Sequence, residues 1–100
     1  MLIHLERIEG TLVVGSYAIN TKSVNGLCRR IFCKMATSTT TFDFTLTSRL
    51  GDIIYSRPNE EGKFNDTIPF LVDGKYTLSI DNGSVDESFV FVMEIEEGVQ

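Results

Sequence analysis

A chain of 100 residues with 42% hydrophobic and 23% charged side chains fits one globular domain, residues 1–100, and falls outside the composition of disordered chains. No apolar run approaches the roughly 20 residues that a bilayer-spanning helix requires, which argues against a membrane partner. The net charge of −5 argues against a phosphate-backbone partner.

The charge is unevenly spread. Residues 1–50 carry six basic groups against three acids, a net +3, whereas residues 51–100 carry three against eleven, a net −8. Halves of opposite sign neutralise each other within one domain, and they also favour association between copies through complementary surfaces.

At the N-terminus, Leu2, Ile3 and Leu5 flank His4 in an apolar stretch expected to be a strand running to Ile8. Glu6 and Arg7 interrupt it too early for a signal-peptide core, so the chain is expected not to be secreted by a signal peptide. Gly10 or Gly15-Ser16 is expected to end or bulge that strand, with Thr11–Val14 as a second β-rich run between them. Asn25-Gly26 reads as a turn.

Leu27–Met35 admits two readings. Leu27, Ile31, Cys33 and Met35 share one parity, as in a strand whose core face also carries Arg29. Leu27, Ile31 and Met35 are also spaced by four, as in a helix; the strand is the preferred reading. Thr37–Thr41 is a polar connector.

From there the period of two is regular. Phe42, Phe44 and Leu46 alternate with Asp43, Thr45 and Thr47, and Ile53 with Tyr55 marks a shorter run. Arg57–Gly62 reads as a solvent loop, and Pro69 restricts Phe64–Leu71 to an edge or irregular strand. Asp73-Gly74 and Asn82-Gly83 bracket a strand with Tyr76, Leu78 and Ile80 on one face. Phe89, Phe91, Met93 and Ile95 form the last and longest alternation. Seven or eight short strands separated by regular turns imply an all-β fold, an antiparallel β-sandwich.

Reactive chemistry is thinly represented. His4 is the only histidine and has no Ser or Cys nucleophile beside it in sequence, so catalysis is not expected of it. Cys28 and Cys33 are separated by an odd number of positions, which on a regular strand points them to opposite faces and prevents a disulfide between them. Arg29, Arg30 and Lys34 would lower the pKa of a neighbouring thiol, but a buried, inert role for the cysteines is preferred. Asp81, Asn82, Asp86 and Glu87 offer oxygen ligands at spacings unlike a calcium loop, and turns recruit such residues for backbone reasons. No enzymatic activity, metal or cofactor is expected.

Arg29, Arg30 and Lys34 around Phe32 form the one local basic cluster. With the acidic second half repelling phosphates, it reads as a contact for an acidic protein surface, including that of another copy.

The segments Phe42-Asp43-Phe44-Thr45-Leu46, Asp52-Ile53-Ile54-Tyr55, Asp73-Gly74-Lys75-Tyr76-Thr77-Leu78-Ser79-Ile80 and Phe89-Val90-Phe91-Val92-Met93 follow one another in an order that resembles the jelly-roll sandwich of bacterial pre-peptidase C-terminal domains. It also resembles small virion proteins of tailed phages built on such a sandwich. Leu46-Thr47 stands where the pre-peptidase domains carry paired aspartates, which favours the virion likeness. The resemblance implies a non-enzymatic structural protein of a phage virion, of decoration or head–tail type, made in the host cytoplasm and binding other virion proteins and copies of itself. The interface residues expected are Leu2, Ile3, Leu5, Arg29 and Arg30. The alternative is a carbohydrate- or peptide-binding sandwich module, although without tryptophan it lacks the usual aromatic platform.

Overall fold

In a computed structural model, described here for residues 2–20, 24–67 and 69–97, the chain is an antiparallel β-sandwich without a helix among those residues. Nine strands are present: β1 (Leu2–Thr11), β2 (Tyr17–Asn20), β3 (Val24–Met35), β4 (Thr41–Ser48), β5 (Ile53–Glu61), β6 (Lys63–Asp66), β7 (Phe70–Gly74), β8 (Tyr76–Asp81) and β9 (Ser88–Glu97). That exceeds the seven or eight expected, and β1, β3 and β9 reach 10, 12 and 10 residues rather than being short. One sheet has the order β1-β9-β3, with β6 and β7 sharing the far edge of β3; the other has the order β2-β8-β4-β5.

The alternating runs supply the inner faces. Phe42, Phe44 and Leu46 of β4, Tyr76, Leu78 and Ile80 of β8, and Phe89, Phe91, Met93 and Ile95 of β9 are all buried. Phe44 stacks on Phe91 at 5.6 Å between ring centroids and meets Phe64 edge-on at 4.9 Å, joining the two sheets at the centre of the core.

Leu27–Met35 lies within a strand, as preferred over the helix. Its parity, however, changes midway. The pairing of β3 with β9 slips between Cys28 and Arg30, a β-bulge that leaves Arg29 as the extra residue. Cys28 before the bulge and Cys33 after it are therefore both buried, against the expectation that they face opposite sides. Both remain free thiols.

Three local readings give way to pairing with distant strands. Asn25-Gly26 is not a turn: both residues lie in β3 and pair with β7, and Gly26 pairs with β9 as well. Glycine is required there by close approach, since a Cβ on Gly26 would stand 2.5 Å from the Glu96 carbonyl oxygen. Arg57–Glu61 is not a solvent loop but the second half of β5, paired with Thr41–Phe44 of β4. Pro58 is tolerated there because β5 is a sheet edge. The run Thr11–Val14 is not a second strand either: Thr11 ends β1, and the rest leaves the sheet. Val13 and Ser16 close a tight turn over Val14 and Gly15, both with positive φ (46° and 82°).

Pro69 does divide its segment, into β6 and β7. Along the β5 side, Tyr55 stacks on Phe70 at 5.0 Å and donates a hydrogen bond to the Asp66 carboxylate. Arg57 reaches Asp66 at 3.3 Å and Glu60 at 2.7 Å while lying 5.5 Å from the centre of the Phe64 ring.

Two substitutions test this account by thermal or urea unfolding. Gly26→Ala must displace the β9 backbone and is expected to destabilise by about 1–3 kcal/mol. Val14→Asn places a residue that tolerates the left-handed region where a β-branched one is strained, and is expected to stabilise by up to about 1 kcal/mol.

Candidate interaction face

The outer surfaces of the two sheets differ in chemistry because different side-chain parities face solvent. On the four-stranded sheet the cross-strand row is Ala18, Ser79, Thr45 and Ser56, flanked by Thr47 opposite Thr77 and Asp43 opposite Asp81. This face is polar, rich in small hydroxyl side chains.

The five-stranded sheet is different. Its outward rows place Ile3, Glu96, Leu27 and Leu71 side by side, then Leu5, Glu94 and Arg30, then Arg7, Val92, Phe32 and Asn65, then Glu9, Val90, Lys34 and Lys63. Aliphatic and aromatic side chains thus alternate with charges across the face. Leu5 is 61% exposed and Ile3 42%.

The bulge in β3 shapes this face. In an unbroken strand Arg29 and Arg30 would point to opposite sides; here both are exposed, and Arg29 lies 3.8 Å from the outward-facing Glu96. Both arginines line a concavity of about 540 Å³ with Ile3, Leu27, Thr67, Pro69 and Glu94. It opens where the edge beside β3 is interrupted between β6 and β7.

Of the five interface residues expected from sequence, Ile3, Arg29 and Arg30 meet in this concavity, and Leu5 lies in the adjacent row. The Leu2 side chain lies outside the described residues. Sequence reasoning placed Phe32 within the basic cluster but did not single out Val90 and Val92 as outward apolar groups. The available signal was the unbroken run Phe89-Val90-Phe91-Val92-Met93, because a strand apolar at every position has two faces to cover.

The other sequence candidates have structural partners. His4 Nε2 lies 3.0 Å from Glu6 Oε1 on the inward-facing side of β1. Glu87 accepts from Thr40 Oγ1 at 2.6 Å and from the Thr37 amide at 3.0 Å, pinning the β3–β4 connection. Asn82 donates to Asp43 at 2.5 Å, and the same carboxylate accepts from the Asn59 amide at 2.7 Å. The backbone bond to Asn59 and then the Asn82 amide hold the Asp43 carboxyl below its ordinary pKa. Among the described residues no group of three or more His, Cys, Asp or Glu side chains is placed to hold a metal ion.

Arg29, Arg30 and Lys34 do not activate the cysteines. They occupy the outer face, and burial of the thiols pushes both Cys28 and Cys33 up to about 12.

No family model matches this chain, and no curated protein matches it. Among solved structures, it is similar to the Yersinia pseudotuberculosis-derived mitogen, with a TM-score of 0.60 and 12% identity over 99% of this chain and 91% of that one. It is similar to PliG of Aeromonas hydrophila, a periplasmic lysozyme inhibitor of g-type lysozyme, with a TM-score of 0.55 and 13% identity over 91% of this chain and 86% of that one. FlhE gives a TM-score of 0.52 at 8% identity, over 95% of this chain and 98% of that one. At such identities the likeness is one of fold, the two-sheet sandwich, and none of these three is a pre-peptidase domain or a virion protein.

The thiol environment has two measurable consequences. In the folded protein neither cysteine is expected to react with a thiol-specific reagent at neutral pH, whereas both react after denaturation. Cys28 and Cys33 rise from 9.0 to about 12, and Tyr55 from 10.0 to about 12 through burial and then the Asp66 contact. A group whose folded pKa is raised binds its proton more tightly in the folded state, so its contribution is complete below the unfolded pKa. Unfolding free energy is therefore expected to hold up to about pH 9 and to fall as pH rises towards 12.

Proposed function

We propose that this chain is a non-enzymatic adhesion domain that binds a protein neighbour through the outer face of its five-stranded sheet. The observation that carries this reading is the convergence of Ile3, Leu27, Arg29 and Arg30 on one concavity, with Leu5 and Phe32 in adjoining rows. Arginine and aromatic side chains set among aliphatic ones are the groups that dominate protein interfaces. Such a contact is made by burying the apolar rows, while the surrounding charges fix register and reject mismatched partners.

The sandwich architecture suits a structural component of a phage virion that attaches to capsid or head–tail neighbours in repeated copies. The setting rests on the likeness of residues 42–95 to small virion sandwiches, and the mechanism rests on the face just described.

Mass spectrometry of purified particles is expected to find the chain, and its absence would end the virion reading. Replacing Arg30→Glu together with Phe32→Ser is expected to weaken docking by about 2 kcal/mol or more, roughly thirtyfold in affinity. The variant's melting temperature should stay near that of the parent; unchanged docking would locate the contact elsewhere.

A further inference from the structure

The fold leaves four strand edges, and three are blunted. β5 carries Pro58 and two register shifts against β4, β2 has only four residues, and the β6/β7 edge is interrupted at Thr67–Pro69. β1 is unlike them. It pairs with β9 over ten consecutive residues without a register shift, contains no proline, and has no strand on its other side among the described residues. A long, regular edge of this kind is a template for another strand.

We infer that the occupant is β1 of a second copy, joined antiparallel about a twofold axis through Leu5 to make one continuous sheet across the dimer. Charge excludes some registers, and the exposed Leu5 decides among the rest. With Leu5 opposite Leu5 of the other copy, His4 stands opposite the other copy's Glu6 twice over, and Ile3 stands opposite Arg7. Moving the axis to Glu6 or to Arg7 sets identical charges against each other, which is unfavourable in directly opposed pairs. An axis at His4 opposes two imidazoles and shortens the overlap. An axis at Ile8 pairs Arg7 with Glu9 twice over but leaves Leu5 opposite Thr11, although Ile8 already packs on its own core and Leu5 is the side chain left 61% exposed. The Leu5 register covers the exposed leucine and sets His4 within reach of Glu6 at the same time.

This pairing uses the edge of β1 and leaves the outer face of the sheet, the surface of the adhesion reading, open to a second partner. A chain that is monomeric yet still docks on particles would refute the pairing and leave the adhesion reading standing.

The register can be read by cross-linking the full chain. Directly opposed residues of an antiparallel pair lie about 4.5–5.5 Å apart at Cα, within the range a disulfide spans. The native cysteines are buried and do not compete. Leu5→Cys is expected to give a disulfide-linked dimer under mild oxidation, whereas Arg7→Cys, four positions out of register with its counterpart, is expected to give none. Sedimentation of the parent should show a dimer. Glu6→Lys should shift it towards monomer, and adding His4→Glu to that variant should restore the dimer by exchanging the two charges. Efficient cross-linking through Arg7→Cys, a parent that sediments as a monomer, or no rescue by the exchanged pair would each overturn the inference.

Discussion

The sandwich depends on aromatic side chains that reach from one sheet into the other. Tyr17 meets Phe89 at 4.7 Å, Phe44 meets Phe91 and Phe64, Phe42 stacks over Phe64 at 6.3 Å, and Tyr55 stacks on Phe70. Every one of these pairs joins a strand of the four-stranded sheet to a strand of the five-stranded sheet. Such pairs add roughly 0.5–1.5 kcal/mol each beyond the area they bury. They also fix geometry, because an offset or edge-on ring tolerates little sliding of one sheet over the other. The pairs run from the β2 side through the centre to the β5 side, so the relative position of the sheets is set along their breadth.

With the inner faces fixed in this way, the outer chemistry follows from strand parity, and the bulge in β3 becomes consequential. One extra residue at Arg29 lets Cys28, Ile31, Cys33 and Met35 all enter the core although their spacing is irregular. The same residue turns two consecutive arginines to one side. Core packing and surface charge are thus adjusted by a single irregularity: without it strict alternation would turn Arg29 in and Cys28 out, or Arg30 in and Ile31, Cys33 and Met35 out. Either register buries a guanidinium, which is costly, and this is the physical reason for the bulge to lie between Cys28 and Arg30.

The parts of the fold legible in sequence were those governed by local period. β4, β8 and the inner face of β9 lie where alternation placed them, since each strand keeps one parity throughout. The misread parts were governed by distant neighbours. Asn25-Gly26 has the chemistry of a turn, but β7 and β9 hold it extended from both sides, and its glycine serves backbone approach. Arg57–Glu61 has loop composition, yet β4 supplies its hydrogen-bond partners. The candidate face was legible in half. Exposed apolar residues on a polar-interrupted strand, Ile3 and Leu5, and the adjacent arginines were visible as oddities. Phe32 was visible beside the arginines, whereas Val90 and Val92 drew no notice because alternation gave the strand's core face to Phe89, Phe91, Met93 and Ile95 and the opposite face was read through its glutamates.

The two flanks of the sandwich are finished in opposite ways, and this asymmetry gives the molecule a direction. On the β5 flank, Tyr55, Asp66, Arg57 and Glu60 form a polar strap from one sheet to the other, with Arg57 lying across Phe64. That strap satisfies charged groups within the chain and leaves them little to offer a neighbour. On the β1 flank the opposite holds. The inward side of the first half of β1 carries the His4–Glu6 pair in place of apolar groups, and its outward side carries exposed Ile3 and Leu5. Contact between His4 and Glu6 within one strand is partly open to water at the histidine, so it contributes little stability by itself. The same two groups gain when a second strand excludes water from them, because charge pairing strengthens as the local dielectric falls. A surface that is weakly satisfied alone and better satisfied in company is the physical signature of an association edge, and β1 has it where the β5 flank does not.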